Sequence, residues 1–413
     1  MRDTAPALPC PSRPSLLRGS RWTGIRLAAF LALAAPGVDA ARAGDAGFAE
    51  LRAAIRPVAA ARGVGADTVE RAFAGLAPDP DVRKLLTRQP EATVAAGRYV
   101  AARTNEGIVA AGRREAARWA EALRRTEAST GVPAAIVVAI WGMESGYGRS
   151  TGSKDIVRSL ATLAAFGDRP DFYGGELVEA LWLLQGGAVA REQMKGSWAG
   201  AMGQTQFMPT SYSRFAVDGD GDGRIDIWAS VPDALASTGA YLRGHGWQRE
   251  LPALVPVLVP PGADPLASRA DFAEWRKRGF RRTDGAPLPG WGQAVLIQPA
   301  GHRGPAFLAT ANFLAVKAYN ASDVYAISAA LLADRIAGGE PLGGAWPDEK
   351  PLAKDDRIAL NRFLRGRGFR VPEVESRIDF DLRDAVRAVQ AERGLVPDGQ
   401  PTYGLLRTLG IGG

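Results

Sequence analysis

From residue 46 onward, apolar positions recur every three or four residues. Segments 46–62, 66–75 and 106–128 set alanine, leucine, isoleucine and valine on one side and charged residues on the other, which predicts amphipathic helices. Pro78-Asp79-Pro80 and Arg169-Pro170-Asp171 punctuate them. Another helix is expected over 176–194, with Leu177, Val178, Leu181 and Leu184 on one side. Residues 133–141 are apolar throughout, and Thr130 with Pro133 reads as a helix start.

The pattern changes after residue 250. Prolines become frequent, and the short apolar runs 294–298 and 306–310 predict strands of a small β element. Helical spacing returns at 322–336, with Ser322 as N-cap. A glycine-rich stretch at 338–344 opens a linker over 338–351. Beyond it, 352–411 reads as a separate small helical domain. Leu382, Ala385, Val386 and Val389 share one face, Gly394 stops that helix, Pro397-Asp398-Gly399 turns, and Thr402 caps a last helix ending at Gly410. The fold class expected is mainly α (α+β), with three helices in the carboxy-terminal domain.

At 413 residues the chain is long enough for two or three domains with a sizeable core. Its net charge is +7, but residues 1–43 hold six arginines against Asp3 and Asp39, a net +4 that leaves +3 for the rest. That charge is small, the arginines are scattered, and no nucleic-acid-binding motif occurs, so nucleic acid is not an expected partner. Residues 1–43 read as an export signal: a long basic region to Arg26, an apolar stretch from Leu27 to Ala35 too short to span a bilayer, and a small-residue site at Ala41-Arg42-Ala43. Export of a chain that is not membrane-spanning, to the bacterial periplasm, is the expectation. The single cysteine, Cys10, lies before the apolar run, so the exported part would carry neither disulfide nor thiol chemistry. Only His245 and His302 are histidines, which leaves little for a histidine metal centre or a Ser-His-Asp triad. Chemistry falls to carboxylates.

The apolar run ends in Trp141-Gly142-Met143-Glu144-Ser145-Gly146-Tyr147-Gly148. A carboxyl group in such surroundings has its ionised form disfavoured and its pKa raised, which suits a general acid. A glutamate at a helix end facing water is the commoner reading of that stretch alone. Further along, Gly196-Ser197-Trp198-Ala199-Gly200-Ala201-Met202-Gly203-Gln204-Thr205-Gln206-Phe207-Met208-Pro209 removes side-chain bulk and supplies Ser197 and Gln206, whose groups suit sugar hydroxyls and N-acetyl groups. A tight turn between helices would also account for it. A third motif, Asp218-Gly219-Asp220-Gly221-Asp222-Gly223-Arg224, places carboxylates at positions 1, 3 and 5, glycine at 6 and a backbone carbonyl at 7, the first half of an EF-hand calcium loop. Ala229 stands where that loop has its bidentate glutamate, and an Asp/Gly turn is the plain alternative.

The Glu144 stretch and segment 196–212, taken together, closely resemble the B-type lytic murein transglycosylases of bacterial cell walls. The resemblance covers most of residues 48–337 and implies a lysozyme-like helical core, within a catalytic domain of 44–337, and a groove for peptidoglycan glycan strands. It implies that Glu144 is the acid/base, that Ser197 and Gln206 lie near the cleavage point, and that Tyr99, Tyr241, Tyr319, Asn320 and Tyr325 line the groove. It further implies a calcium ion held by Asp218, Asp220, Asp222 and the Arg224 carbonyl, with Asp233 replacing the missing glutamate; no organic cofactor is expected. The implied reaction uses one carboxyl twice and the substrate's acetamido group, departing from paired-carboxylate glycosidases. Ala388-Val389-Gln390, Gly394-Leu395, Asp398-Gly399 and 405–409 resemble a three-helix peptidoglycan-binding domain. A hydrolytic muramidase and a non-catalytic wall-binding protein are the competing functions, and proteins of wall synthesis or division remain unidentified as partners.

Overall fold

The all-apolar run forms the centre of the molecule. In the computed structural model, which describes residues 40–87 and 94–411, Val137, Val138, Ala139 and Ile140 are fully buried on every side of their helix. A helix apolar all round has no face to give to water, so other helices must enclose it. In chain order these are α1 (Ala40–Arg62), α2 (Ala66–Phe73), α3 (Pro80–Thr87), α4 (Ala96–Arg103), α5 (Glu106–Arg118), α6 (Ala120–Thr130), α7 (Ala134–Ser145), which is the central one, α8 (Ile156–Phe166), α9 (Pro170–Gln185), α10 (Pro209–Phe215) and α11 (Val231–Gly244). Between them lies a two-stranded antiparallel ribbon, β1 (Lys154–Asp155) with β2 (Lys195–Gly196).

Several boundaries differ from the sequence reading. The helix expected over 106–128 breaks at Trp119, whose φ of −106° and ψ of 22° leave helical values. Thr130 ends α6 rather than starting α7; Gly131, at φ 75°, closes that helix, and Pro133 is the N-cap of the next. The helix expected over 176–194 begins six residues earlier, at Pro170, and stops at Gln185 because Gly186-Gly187 follows, Gly187 at φ 69°.

The proline-rich region builds more sheet than two apolar runs suggested. Strands β3 (Leu254–Leu258), β4 (Arg269–Asp271), β5 (Arg281–Arg282), β6 (Gln293–Ile297) and β7 (Ala306–Ala309), with helix α12 (Phe272–Lys277), make an antiparallel sheet in the order β4-β6-β7-β3-β5. Its own core gathers Phe272, Trp275, Phe280, Leu296 and Leu308. Two helices, α13 (Ala311–Lys317) and α14 (Asp323–Ile336), then return the chain to the central core, with α14 packed along α7, α4 and α5. Ser322 is the N-cap of α14 but makes no side-chain cap bond.

The carboxy-terminal helices α15 (Lys354–Gly366), α16 (Phe380–Glu392) and α17 (Tyr403–Leu409) enclose a third core of Leu360, Leu364, Leu382, Val386, Val389 and Leu405. Thr402 Oγ1 accepts from Leu405 N and Gly410 closes α17 at φ 69°, as the sequence indicated. This unit is docked rather than loosely tethered. Arg387 donates to Leu296 O at 2.6 Å, and Asp384 accepts from Ser268 Oγ and Arg269 Nε at 2.6 and 2.7 Å. Among the described residues no single helix is long and apolar enough to cross a membrane. The export-signal reading falls on residues 1–43, of which 1–39 lie outside the described residues.

Candidate active site

Glu144 occupies the last turn of α7, and a set of local contacts fixes how that turn ends. Gly146 takes φ 58° and donates back to Gly142 O, a left-handed helix stop open to glycine. Ser145 Oγ accepts from Gly148 N while bonding Trp141 O. Tyr147, at φ 63°, tucks its ring against Trp141 and donates to Ile108 O at 2.9 Å. A Cβ at Gly142 would meet that ring at 2.5 Å, so the helix needs glycine there.

The second motif is pinned to the same helix by Gln204. Its Oε1 accepts from Trp141 Nε1 at 2.9 Å, and its Nε2 donates to Trp228 O at 3.1 Å. Bridges Gly196–Met202 and Met202–Phe207 fold the loop on itself. The turn is so tight that a Cβ on Gly196 would lie 1.9 Å from Ala201 O. Ser197 Oγ accepts from Ala201 N at 3.1 Å. Gln206 sits at φ 51°, a left-handed conformation costly for a side-chain-bearing residue and commonest at functional sites. It is held there by Nε2 donating to Gly203 O at 2.8 Å and Thr151 O at 3.1 Å.

Helices from distant parts of the chain bring tyrosines to Glu144. Tyr325, buried on α14, donates its hydroxyl to Glu144 Oε1 at 2.5 Å. Tyr241 on α11 donates to Ala318 O at 2.7 Å, and its ring lies 4.3 Å from that of Tyr319, which bonds Thr238 Oγ1 at 3.3 Å. Phe207, from the glycine-rich motif, packs on both rings at 5.3 and 5.9 Å. The Glu144 charge reaches the Tyr241, Tyr319 and Tyr325 hydroxyls, whose pKa values burial pushes up, that of Tyr241 to about 12. Tyr99 on α4 is half-buried beside them, with the Arg103 guanidinium 5.4 Å from its ring. Asn320 is different: its side chain is exposed, and Oδ1 accepts from Ser322 N, bracing the turn and not Glu144.

Burial in this setting raises the Glu144 pKa to about 7, against the opposing pull of the Tyr325 hydrogen bond and the Arg103 charge. The carboxyl therefore holds its proton near neutrality while remaining partly reachable from outside. Arg103 and Gln204 were not singled out from the sequence. Gln204 stood inside the quoted motif, and Arg103 lies one helical turn after Tyr99, but neither position shows in the sequence what its side chain meets.

The acidic loop stands at the entry to α11. Asp218, Asp220 and Asp222 are exposed, with carboxylate oxygens within 4.8 Å of one another. Gly221 and Gly223, at φ 82° and 86°, let the loop curl so that Asp218 accepts from both their amides. These bonds, that from Gly223 foremost, hold the Asp218 carboxyl below its ordinary pKa. Arg224 follows with its N–H on Asp222 Oδ1. Asp233, expected as the residue closing the ligand set, bonds the loop's backbone. Its oxygens accept from Gly219 N at 2.8 Å and Asp226 N at 2.6 Å, because backbone amides at the loop's two ends are orphaned without it. Three clustered carboxylates with an all-oxygen donor set fit a hard divalent cation such as calcium. Neither histidine joins a site: His245 bonds Tyr241 O and His302 bonds Asp398.

Comparison with known proteins identifies the family. The family model described as Transglycosylase SLT domain matches residues 47–334, and that of a putative peptidoglycan binding domain matches 353–409. SltB3 from Pseudomonas aeruginosa, solved in complex with NAG-anhNAM-pentapeptide, superposes with a TM-score of 0.79 at 45% identity, over 88% of this chain and 99% of that one. The Escherichia coli transglycosylase Slt35, solved in complex with calcium, gives a TM-score of 0.58 at 27% identity, over 70% of this chain and 92% of that one. Membrane-bound lytic murein transglycosylase B of Escherichia coli strain K12 is 33% identical over 221 residues, spanning 52% of this chain and 60% of that protein. With a lysozyme-like helical domain matched over residues 47–334 and a three-helix peptidoglycan-binding domain after it, this chain belongs to the lytic transglycosylase family.

Proposed function

We propose that this lytic transglycosylase cuts the β-1,4 bond between N-acetylmuramic acid and N-acetylglucosamine in peptidoglycan, leaving 1,6-anhydro-muramoyl ends. The observation that carries this reading is the Glu144 carboxyl, raised to about 7 by burial and hydrogen-bonded by Tyr325. In its protonated form Glu144 gives its proton to the glycosidic oxygen as the bond to C1 breaks. The substrate's acetamido oxygen stabilises the cationic sugar at C1. Glu144, now a carboxylate, takes the proton of the muramoyl C6 hydroxyl, whose oxygen closes onto C1. Proton and bond counts balance, and Glu144 returns to its starting state. The Tyr325 hydroxyl and the Arg103 charge favour its ionised form, the form that acts as base in the second step.

Ser197 and Gln206 present polar groups from a loop with little side-chain bulk, and Tyr99, Tyr241, Tyr319 and Asn320 extend the groove for the sugar chain. The relative solved with NAG-anhNAM-pentapeptide supports both substrate and product class. Asp218, Asp220 and Asp222, with the Arg224 carbonyl and Asp233, would hold calcium in a structural role. The 353–409 module would raise the enzyme's effective concentration on the wall. The signal-like residues 1–43 support export of the chain to the periplasm.

Mass spectrometry of digested glycan strands tests the reaction. Anhydro ends support it; reducing ends alone would mean a hydrolytic muramidase. Glu144→Gln should abolish lysis while wall binding persists, and undiminished lysis by that variant would remove Glu144 from the mechanism.

A further inference from the structure

The turn that carries the site tyrosines is held from two sides. On the cleft side, Tyr241 donates to Ala318 O. On the far side lies a buried ionic triad that spans two domains. Asp323, the first residue of α14, accepts from Lys317 Nζ at 2.5 Å and from Arg383 Nε and Nη2 at 3.1 and 2.7 Å. The three side chains are exposed by only 9, 8 and 4%, in the order Lys317, Asp323 and Arg383. Arg383 belongs to α16 of the wall-binding module and is itself clamped there by Gly399 O and Gln400 Oε1. Lys317 also reaches across, donating to Ile378 O at 3.2 Å. Phe313 and Phe380 stack beside the triad, ring centres 6.2 Å apart.

Tyr319, Asn320 and Tyr325 all lie within two residues of Lys317–Asp323 or between them. Both guanidinium bonds end on Asp323 Oδ2 while Lys317 holds Oδ1, so the two cations together fix the carboxylate in direction as well as distance. The same contact therefore sets where α14 begins and how its first turn is rotated.

We propose that Arg383, on the wall-binding module, is a positioning residue of the catalytic site: through Asp323 it fixes the start of α14 and so keeps the Tyr325 hydroxyl on Glu144. Docking of the module is then required for full turnover, beyond any part it has in holding the wall. This rests on the reading of Glu144 as acid and base.

The test uses the full-length chain and soluble glycan strands. Arg383→Gln, shown by a cooperative thermal transition to be folded, is expected to lose at least tenfold in kcat with KM unchanged. Its basic limb should move to higher pH, because Glu144 is faced by Tyr325, Tyr241, Tyr319 and Arg103, and slackening the Tyr325 bond removes a contact that favours the ionised form. Arg383→Lys should recover part of the loss. The double variant Arg383→Gln with Tyr325→Phe should lose no more than Tyr325→Phe alone. Wild-type kcat in folded Arg383→Gln, a loss confined to KM with the pH profile in place, or additive losses in the double variant would each overturn the proposal. Should Arg383→Gln not fold, Arg383→Lys carries the test: an intermediate kcat with a shifted limb supports it and wild-type behaviour refutes it. Glu144→Gln serves as the control, since activity surviving in that variant would sink the mechanistic reading itself rather than the role of Arg383.

Discussion

The Tyr325 hydroxyl donates to Glu144 Oε1 across 2.5 Å, joining two helices whose contacting residues stand 181 positions apart. This single bond does two things. It fixes the direction of the carboxyl, and it opposes the burial that raises the Glu144 pKa. A carboxyl left wholly to desolvation would hold its proton too firmly to serve as the base of the second step.

Tyr325→Phe removes that donor. The Glu144 pKa should rise above its value of about 7, so the basic limb of the kcat–pH profile should move up by roughly one unit, since a hydrogen bond to a charged group is worth about 1.5–3 kcal/mol and one pKa unit is about 1.4 kcal/mol. Turnover at the optimum should fall about tenfold or more as the carboxyl loses its fixed direction. A profile with its limb in place would show that Tyr325 does not tune the acid.

Stability should depend on pH through the same residue. Folding raises the Glu144 pKa from 4.5 to about 7, so the native state binds the proton more tightly than the unfolded chain. The stability this contributes is fully present below pH 4.5 and is lost as pH rises through about 7. Glu144→Gln escapes that loss. Relative to wild type it should gain about 2 kcal/mol between pH 5 and pH 8, a figure reduced for the partial exposure of the side chain. Denaturant midpoints for both proteins at the two pH values measure this, and a gain independent of pH would contradict a desolvated acid.

Removal of divalent ions should act on the acidic loop. Without a cation, Asp218, Asp220 and Asp222 repel one another, so chelation should lower Tm and added calcium should restore it. At a calcium concentration about 100 times Kd the gain is about 2.7 kcal/mol. Asp220→Asn should blunt the response. Asp233→Asn should lower Tm with or without calcium, because its oxygens hold the amides of Gly219 and Asp226. Superimposable melting curves in chelator and calcium would take the ion out of the protein.

Much of the site was legible wherever its parts are local in sequence. The apolar run that buries α7, the glycines that end it at Glu144 and the small residues that tighten the 196–209 loop all act within a few positions, so their physics shows in the order of residues. Thr402 and Gly410 at the ends of the last helix were readable for the same reason. The two amides that Asp233 accepts from were not legible in the sequence, because its distance from the loop said nothing of what it would meet there.

What the order of residues determined by itself is the set of elements and the chemical groups each carries: an apolar helix ending in one carboxylate, a loop without bulk, three clustered acids and a small helical module. What only the tertiary structure decided is which of these meet. Tyr325 on Glu144, Gln204 on Trp141 and Arg383 on Asp323 are contacts over 181, 63 and 60 residues. Such pairings follow from how whole helices pack, and packing depends on the summed shape of many side chains, which no local spacing encodes.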